Sequence, residues 1–303
     1  MILLTGEGRG LDRIAHLDNV FRGATVILMG GAPTITTQPL HLLEARGVVS
    51  AAINNAARHF RPTIWFSGDH PGSFEPQIIE DPGIMKFAPH SHTTTQLRGR
   101  PYHERANLYL YVQDRDVPMG EFLCMRRDVP WYYNTMFVSL HILTSLGFKR
   151  IILGGSDFHP DGKQMYAHDT KLNQKEHDMN IRLYTKLVDE LKLCKPVFEK
   201  AEVEFMDCSV RSKLADTYEH ITMEKAIELC RENFPTEMLP STELPHGTRF
   251  ASEALRSKLN LSGTLPEQEE ANNDEMAAGL DPEMVFEPPV DSSPPGGEME
   301  EVM

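Results

Sequence analysis

The segment 154–159 combines residue types that could bind a ligand and act on it. Its sequence, Gly-Gly-Ser-Asp-Phe-His, directly follows an apolar run. Two adjacent glycines let the backbone approach a ligand closely, while Asp157 and His159 offer a carboxylate acceptor and an imidazole. Packing alone gives little reason for an acid and a histidine at the end of a buried strand, so the segment predicts a binding site.

Three further polar segments also follow apolar runs. The glycines of 30–34 (GGAPT) could present backbone amides to a phosphate at the start of a helix. Asn54 and Asn55 offer side-chain amides to a nucleoside, and Asp69 could hold a ribose hydroxyl. Each segment by itself is equally typical of a turn. None forms the GxGxxG pattern or a P-loop.

Two groups of residues raise the question of a metal. Asp114 and Asp116 form a DxD pattern, which can hold a divalent ion on a diphosphate but also fits a solvated turn before Pro118. Three histidines at 90, 92 and 103 could ligate zinc, although they have no cysteine partners and lie in an irregular segment. We therefore predict no metal site.

The elements that must position these residues alternate between strands and helices. Short apolar runs bounded by glycine or polar residues predict strands, and apolar residues at 3–4 spacing predict helices. The strands are predicted over 24–29, 48–53, 63–66, 108–112, 150–153 and 203–206, and the helices over 38–45, 133–146, 181–191 and 223–232. Residues 80–107 have no clean period and are predicted to be a loop. The alternation indicates an α/β fold with a doubly wound, mostly parallel, Rossmann-like sheet.

In such a sheet the carboxyl ends of the strands meet at one edge, where a crevice opens at the point of strand-order reversal. The polar segments after the predicted strands should therefore lie together. Their glycines, amides and carboxylates suit a nucleotide, so we expect a nucleotide-binding crevice at this edge.

The charge is concentrated at the end of the chain. The whole protein has 303 residues and a net charge of −14, of which residues 259–303 carry −12, with no Lys or Arg. A one-signed, Pro-rich segment of low hydrophobicity is predicted to be disordered. We therefore divide the chain into a catalytic domain over 1–258 and a disordered acidic tail over 259–303.

The remaining composition excludes several classes of protein. No apolar run approaches the ~20 residues of a membrane helix, and no repeat indicates a collagen or a coiled coil. The four cysteines form neither a close pair nor a CxxC motif, so we expect free thiols and a cytoplasmic protein.

One block of motifs resembles a known enzyme family. The run 134–157 (NTMFVSLHILTSLGFKRIILGGSD), followed by Phe158, Gly162, Tyr166, Ala167 and Asp169, resembles the bacterial sialyltransferases of glycosyltransferase family forty-two. It is also similar to their wider relatives, the motility accessory factor glycosyltransferases and the hydroxymethylpterin diphosphokinase-like proteins. GGAPT resembles the family's GxGPS element, with Ala32 and Thr34 as departures, and 208–214 resembles its late strand-end motif.

The resemblance implies roles for individual residues. It makes His177, near the start of a helix, the general base; the helix dipole there disfavours the protonated imidazole. Tyr166 would donate a hydrogen bond to the departing phosphate. His159 stands where the family has a second such tyrosine, which leaves the donor sugar open. A lid would span about 160–176.

The nucleotide-binding residues are predicted from the strand ends, from the polar start of the 133–146 helix and from the late strand-end motif. They are Gly30, Gly31, Pro33, Asn54, Asn55, Asp69, Asn134, Thr135, Gly155, Ser156, Asp157, Ser209 and Ser212.

Three functions remain open at this point. The first is a metal-independent glycosyltransferase that moves a sugar from a nucleotide-sugar to a hydroxyl of a glycan, a protein or a modified nucleobase. The second is a diphosphokinase-like enzyme that uses ATP, with magnesium at Asp114 and Asp116, on a small hydroxymethyl compound. The third is a non-catalytic nucleotide-binding module. The enzyme could also form a homo-oligomer.

We predict that the acidic tail contributes nothing to the stability of the body. Truncation of the chain at Gly263 should leave the melting temperature nearly unchanged, because the removed residues have too little apolar surface to pack. Thermal denaturation of the full and truncated chains tests this. A drop of several degrees on truncation would show that the tail packs on the body.

Overall fold

The computed structural model describes residues 3–5, 13–15, 17–124, 128–132, 134–158, 165–167, 173–232 and 234. Ten strands of these residues form one sheet. In chain order they are β1 (Leu3–Thr5), β2 (Arg13–Ala15), β3 (Thr25–Met29), β4 (Ser50–Ile53), β5 (Ile64–Phe66), β6 (Met85–Pro89), β7 (Leu108–Tyr111), β8 (Arg150–Gly154), β9 (Glu204–Asp207) and β10 (Glu219–His220). Two small separate pairs join Gln96–Leu97 to Arg100–Pro101 and Gln113–Asp114 to Val129–Pro130.

Five α-helices and several short 3₁₀ turns connect the described strands. The helices are α1 (Pro76–Glu80), α2 (Thr135–Ser145), α3 (Gln174–Leu193), α4 (Lys195–Lys200) and α5 (Met223–Glu232). The 3₁₀ turns are Pro33–Thr37, Leu40–Glu44, Asn54–Arg58, Pro71–Ser73, His90–His92, Tyr102–Glu104 and Met119–Glu121. None of the described helices combines the length and apolar character that a membrane crossing requires.

The strand order of the sheet reverses between β3 and β8, because later strands are added on opposite sides of this pair. Its order is β10-β9-β8-β3-β4-β5-β6-β7-β1-β2. The strands from β10 to β7 are parallel, whereas β1 pairs antiparallel with β7 and with β2. Strands β4 to β7 extend the sheet on one side of β3, and β8 to β10 extend it on the other. The reversal creates a crevice at the carboxyl ends of β3 and β8.

Two hydrophobic clusters cover the two faces of the sheet. Alternate residues of the central strands contribute to opposite clusters; in β3, Val26 and Leu28 join one, and Ile27 and Met29 join the other. The first cluster contains the buried residues of α2, α3 and α4, and the second contains those of α1, α5 and several 3₁₀ turns. The doubly wound, mostly parallel α/β fold is therefore confirmed.

Two sequence-based assignments were wrong. Residues 80–107 are not simply a loop, because they contain β6. Its apolar run is interrupted by Lys86, which is fully buried and satisfies its ammonium group by donating to the carbonyls of Asp81 and Ile84 at 2.6 and 3.0 Å. The segment 38–45 forms a 3₁₀ turn at Leu40–Glu44 rather than an α-helix. The antiparallel strands β1 and β2 were not predicted, and the tail 259–303 lies outside the described residues.

Helix α2 links the core to the crevice. Asn134 caps its first turn by accepting a hydrogen bond from the Met136 amide at 2.7 Å. Ten of its eleven residues are buried, so the helix is held on nearly all sides and its start is fixed. The helix is followed by Gly147 at φ +94°, where a side chain would approach the Asn19 Cα to 2.9 Å. Only glycine fits this turn into β8.

Candidate functional site

A cavity of about 500 Å³ opens at the carboxyl edge of the sheet, at the point of strand-order reversal. The segments that follow β3, β4, β5 and β8 form its floor. The start of α2, one face of α3 and the short segment 165–167 form its walls. Its size is in the range of ordinary small-molecule sites.

Most of the residues predicted to bind a nucleotide line this cavity. They are Gly30, Gly31, Pro33, Asn54, Asn55, Asp69, Asn134, Thr135, Gly155, Ser156 and Asp157, and Tyr166 lines it as well. His177, Ser209 and Ser212 lie outside the described lining. His159 falls outside the described residues. The structure thus brings the predicted residues together, while their binding roles remain predictions.

The floor of the cavity depends on a close approach of the ends of β3 and β8. The Gly30 amide donates to the Gly154 carbonyl at 2.8 Å, and the Ala32 amide donates to the Gly155 carbonyl at 2.9 Å. A methyl group on Gly30 would overlap the Ser156 hydroxyl oxygen and lie 2.8 Å from the Gly155 carbonyl oxygen. Gly155 itself has φ +55°. Both glycines are therefore required for the two backbones to pass this close.

Asp157 is held in place beneath the cavity by Thr34 of the GGAPT segment. The Thr34 hydroxyl donates to the two carboxylate oxygens of Asp157 at 2.6 and 2.7 Å. Only 2% of Asp157 is exposed. The hydroxyl offsets part of the cost of burying the charge and fixes the orientation of the carboxylate.

Two lining residues hold a backbone conformation that L-residues rarely adopt. Asn54 has φ +50° and Phe158 has φ +53°. Asparagine tolerates this region, but a bulky aromatic residue there is an outlier. Such strain costs about 1–3 kcal/mol and clusters at functional sites. The strain at Phe158, directly after Asp157, supports a functional role for this strand end.

The late strand-end motif supports the floor from outside the cavity. The Ser209 hydroxyl accepts a hydrogen bond from the Ser156 amide at 3.1 Å, and the Ser212 hydroxyl accepts one from the Leu214 amide at 2.9 Å. Next to them, Asp207 is fully buried and pairs with His220 at 2.8 Å. Ser209 is therefore placed to position Ser156, and its contact with a nucleotide stays a prediction.

The start of α2 opens on the cavity and gives it a positive pole. The first amides of an α-helix lack partners within the helix, and its dipole favours negative charge there. Asn134 satisfies one of these amides through its side chain. Asn134 and Thr135 both line the cavity, so an anionic group could be held at the start of an eleven-residue helix.

Helix α3 supplies the opposite wall. Asn180, Leu183, Tyr184 and Leu187 line the cavity at helical spacing. The helix begins at Gln174, capped by Asn173, so His177 belongs to its first turn and does not precede the helix as the sequence suggested. His177 lies one turn before Asn180 on the same side of the helix, and its side chain is 18% exposed.

Two phenols meet on this wall. The rings of Tyr166 and Tyr184 pack edge to face with centroids 6.3 Å apart. Burial, the neighbouring Tyr166 and a hydrogen bond to Tyr166 together raise the pKa of Tyr184 well above its ordinary value. Tyr184 therefore keeps its proton at neutral pH, with its phenol against that of Tyr166. The adjacent Ala167 amide donates to the Gly31 carbonyl at 3.0 Å.

The end of β5 brings a carboxylate and aromatic rings into the cavity. Asp69, Ser73, Phe74 and Trp131 line it here. Burial raises the pKa of the Asp69 carboxyl, and the charge of His92 opposes this shift. Burial and the neighbouring His70 lower the pKa of His92. Asp69 was predicted from the sequence, but the two aromatic residues were not.

The lining residues that were not predicted carry only weak signals in the sequence. Tyr184 belongs to an apolar stripe that indicated only a core face. Trp131 follows a two-residue strand without any period. The predicted lid at 160–176 is described only at 165–167 and 173–176, and Met165 and Tyr166 line the cavity.

The described residues contain no cluster of side chains that could bind a metal ion. Within the residues that can be described, no group of three His, Cys, Asp or Glu side chains is placed to hold an ion. The Asp114 carboxylate accepts a hydrogen bond from the Asp116 amide at 3.0 Å, a turn-closing contact, and neither residue belongs to the described cavity lining. Magnesium at this pair is an expectation of the diphosphokinase-like alternative alone.

Solved structures similar to this chain include bacterial sialyltransferases. The sialyltransferase CST-II in complex with a trisaccharide acceptor and CMP is 15% identical, with a TM-score of 0.37 over 65% of this chain and 85% of that one. The monofunctional alpha-2,3-sialyltransferase Cst-I from Campylobacter jejuni is 16% identical, with a TM-score of 0.35 over 78% of this chain and 95% of that one. These are the kind of enzyme that the motifs resemble, and the likeness concerns the fold alone.

Comparison with protein-family models finds no match, and comparison with curated protein sequences finds none either.

We predict that Gly30 and Gly31 respond differently to the same small substitution. Gly30→Ala should lower the melting temperature by several degrees, because the new methyl group meets the backbone of β8. Gly31→Ala is the matched control, because its methyl group would find its nearest neighbour, the Ala56 amide, at 3.8 Å. The melting temperatures of both variants, measured by thermal unfolding, test this prediction. Equal stabilities would mean that the strand ends are not in close contact.

Proposed function

We propose that this protein is a glycosyltransferase that binds a nucleotide-sugar in the cavity and transfers the sugar to a hydroxyl acceptor. The observation that carries the proposal is the convergence of three features on one cavity. These are the glycine floor of β3 and β8, the start of α2 and the phenol pair on the wall. Together they provide room for a phosphate, a positive pole for its charge and a donor for its departure.

The nucleotide would lie along the strand ends. Close backbone approach at Gly30 and Gly155 makes room for phosphate oxygens beside the amides of the floor. Asn54 and Asn55 offer amide groups to the base or ribose, and the fixed Asp157 carboxylate accepts from a ribose hydroxyl or a base amino group. The motif block 134–157 supports the same role through its resemblance to the sialyltransferase family.

The leaving phosphate would be stabilised by Tyr166. Transfer of a sugar breaks the bond between its anomeric carbon and the phosphate oxygen, and negative charge develops on that oxygen. Tyr166 lines the cavity, and its ring packs edge to face against that of Tyr184, which holds the phenol in place. The charge can then be stabilised by fixed donors without a metal ion.

His177 would accept the proton of the attacking hydroxyl. It lies in the first turn of α3, one turn before the cavity-lining Asn180. The acceptor hydroxyl attacks the anomeric carbon while its proton passes to the imidazole. The acceptor would be a glycan, a protein or a modified nucleobase. The protein would use no cofactor beyond the donor substrate.

The first prediction concerns nucleotide binding. A nucleotide at a hundred times its Kd should stabilise the protein by about 2.7 kcal/mol. Asp157→Asn should abolish that stabilisation in a folded protein, because the amide loses the carboxylate's acceptor strength. Asp207→Asn is the control, since it alters another buried carboxylate, one strand away, that is not among the described lining residues.

The measurement is the melting temperature of each variant with and without nucleoside mono- and diphosphates. If Asp157→Asn binds nucleotides like the wild type, the assignment of the floor is wrong.

The second prediction concerns the reaction. His177→Ala should lower turnover about 10²–10⁴-fold with little change in nucleotide affinity, because a general base contributes roughly that factor. Tyr166→Phe should also slow turnover. EDTA should leave the rate unchanged. Steady-state kinetics with the donor found by the binding screen provide the test.

A rate that collapses on EDTA treatment and in both Asp114→Ala and Asp116→Ala would contradict the metal-free mechanism. It would favour the diphosphokinase-like enzyme or a metal-dependent transferase.

A further inference from the structure

A carboxylate lies beside the part of the cavity that would hold the donor's phosphate. The start of α2 lies against the end of β5, because a side chain on Gly68 would approach the Thr135 hydroxyl oxygen to 2.7 Å. Asp69 is the next residue along the chain and lines the same cavity. The amides at the start of α2 attract an anion, whereas an ionised Asp69 repels it. The two groups therefore act in opposite directions on a phosphate that binds here.

The described residues offer no fixed cation to offset this repulsion. Those that line the cavity include two carboxylates, Asp69 and Asp157, and neither Lys nor Arg. Outside that lining, the charge of Asp69 interacts with His92 and with Tyr111. Burial and the neighbouring His70 lower the pKa of His92, so its ring is mainly neutral at pH 7. Burial raises the pKa of Tyr111, which therefore keeps its proton and adds no charge.

The two histidines beside Asp69 are held by backbone contacts. The rings of His70 and His92 pack edge to face with centroids 5.7 Å apart. A hydrogen bond to the Gly68 backbone holds the His92 ring, and the His70 Nδ1 accepts a hydrogen bond from the Gly72 amide at 3.1 Å. A nitrogen that accepts carries no proton, so this second contact is made by the neutral ring of His70. In this arrangement neither ring supplies a positive charge to Asp69.

The two carboxylates of the cavity differ in how their charge is stabilised. The Thr34 hydroxyl donates to both carboxylate oxygens of Asp157, whereas no described residue donates a hydrogen bond to the Asp69 carboxylate. Burial already raises the pKa of Asp69, and a further negative charge within about 4–6 Å raises the pKa of an acid again. Asp69 is also exposed, so a proton can reach it from solvent. An arriving phosphate would therefore protonate Asp69 before Asp157.

We propose that Asp69 takes up a proton from solvent when the donor's phosphate binds at the start of α2, so that nucleotide binding is linked to pH. The inference rests on the nucleotide-binding part of the proposed function and adds a proton to that step. In the complex Asp69 is a carboxylic acid, which presents an O–H donor to the phosphate instead of a repelling charge. The affinity for the nucleotide should therefore rise as the pH falls from above the pKa of Asp69 in the complex toward its lower pKa in the free protein.

The test is titration calorimetry on the full chain with the methyl esters of the common nucleoside 5′-monophosphates. A phosphate diester keeps a single charge between about pH 6 and pH 8.5, in contrast to a monoester, whose second pKa is about 6. Titrations in two buffers of different ionisation enthalpy give the number of protons taken up. For the nucleotide that binds, we expect proton uptake and a Kd that falls about ten-fold per pH unit where one full proton is taken up. The matching nucleosides, which lack the phosphate, should bind without proton uptake.

The variants assign the proton to one side chain. Asp69→Asn keeps the shape of the side chain and removes its titration, so it should abolish the proton uptake and make Kd nearly independent of pH. At the high end of the pH range this variant should bind the nucleotide more tightly than the wild type, because the repulsion is gone. His92→Gln removes the neighbouring titratable ring and should leave the proton uptake in place. Asp189→Asn, an exposed acid on α3 outside the described lining, is the charge-matched control and should behave like the wild type.

The outcomes separate this inference from the proposed function. If Asp69→Asn weakens nucleotide binding at every pH, the carboxylate accepts a hydrogen bond from a ribose hydroxyl and the inference is wrong. Proton uptake that survives in Asp69→Asn but disappears in His92→Gln, or that is equal for nucleosides, would also overturn it. If nucleotides bind with the expected pH dependence but no sugar is transferred, the glycosyltransferase proposal fails and the inference about Asp69 stands. If no nucleotide binds, both are rejected.

Discussion

The close approach of the ends of β3 and β8 is the constraint on which the site depends. At this point the sheet changes its direction of growth, so the connections leave on opposite sides and a crevice is left between them. Gly30 and Gly155 bring the two backbones within hydrogen-bond distance of each other's segments. Any larger residue at Gly30 would separate the strand ends. The shape of the cavity floor therefore follows from how the ends of β3 and β8 pack against each other.

The polar groups of the floor are held in place by neighbouring side chains that are not among the described lining residues. Thr34 fixes the Asp157 carboxylate, and Ser209 fixes the Ser156 amide. Phe158 holds an unfavourable backbone conformation immediately afterwards. Such preorganisation costs stability, and it is useful where a ligand must find its donors and acceptors already oriented.

The residues that line the cavity differ in chemistry from one side to the other. The α2 and α3 sides supply a positive pole and a pair of hydrogen-bonded phenols, which suit a phosphate and its departure. The β5 side supplies an indole and a carboxylate, with the indole packed against Gly68 close to the start of α2.

Local sequence patterns are enough to predict the sheet and most of the residues along its cavity edge. Apolar runs such as 24–29 and 150–153 predict buried strands because parallel strands are covered on both faces, and the polar residues after them must then share one edge. This local chemistry placed Gly30, Asn54 and Asp157 correctly beside the cavity. It failed at β6, because Lys86 interrupts the apolar run and only the fold provides the carbonyls that satisfy its charge.

Which residues of separate elements come into contact depends on how the elements pack in the fold. Tyr184 looks like a core residue of α3, and its contact with Tyr166 depends on how the helix packs on the sheet. Trp131 carries no periodic signal, and its place in the cavity wall depends on the gap left by Gly68. Ser209 matches a binding motif, yet the fold turns it toward the Ser156 amide. Sequence spacing fixes neighbours within an element, whereas contacts between elements depend on packing geometry that no single segment encodes.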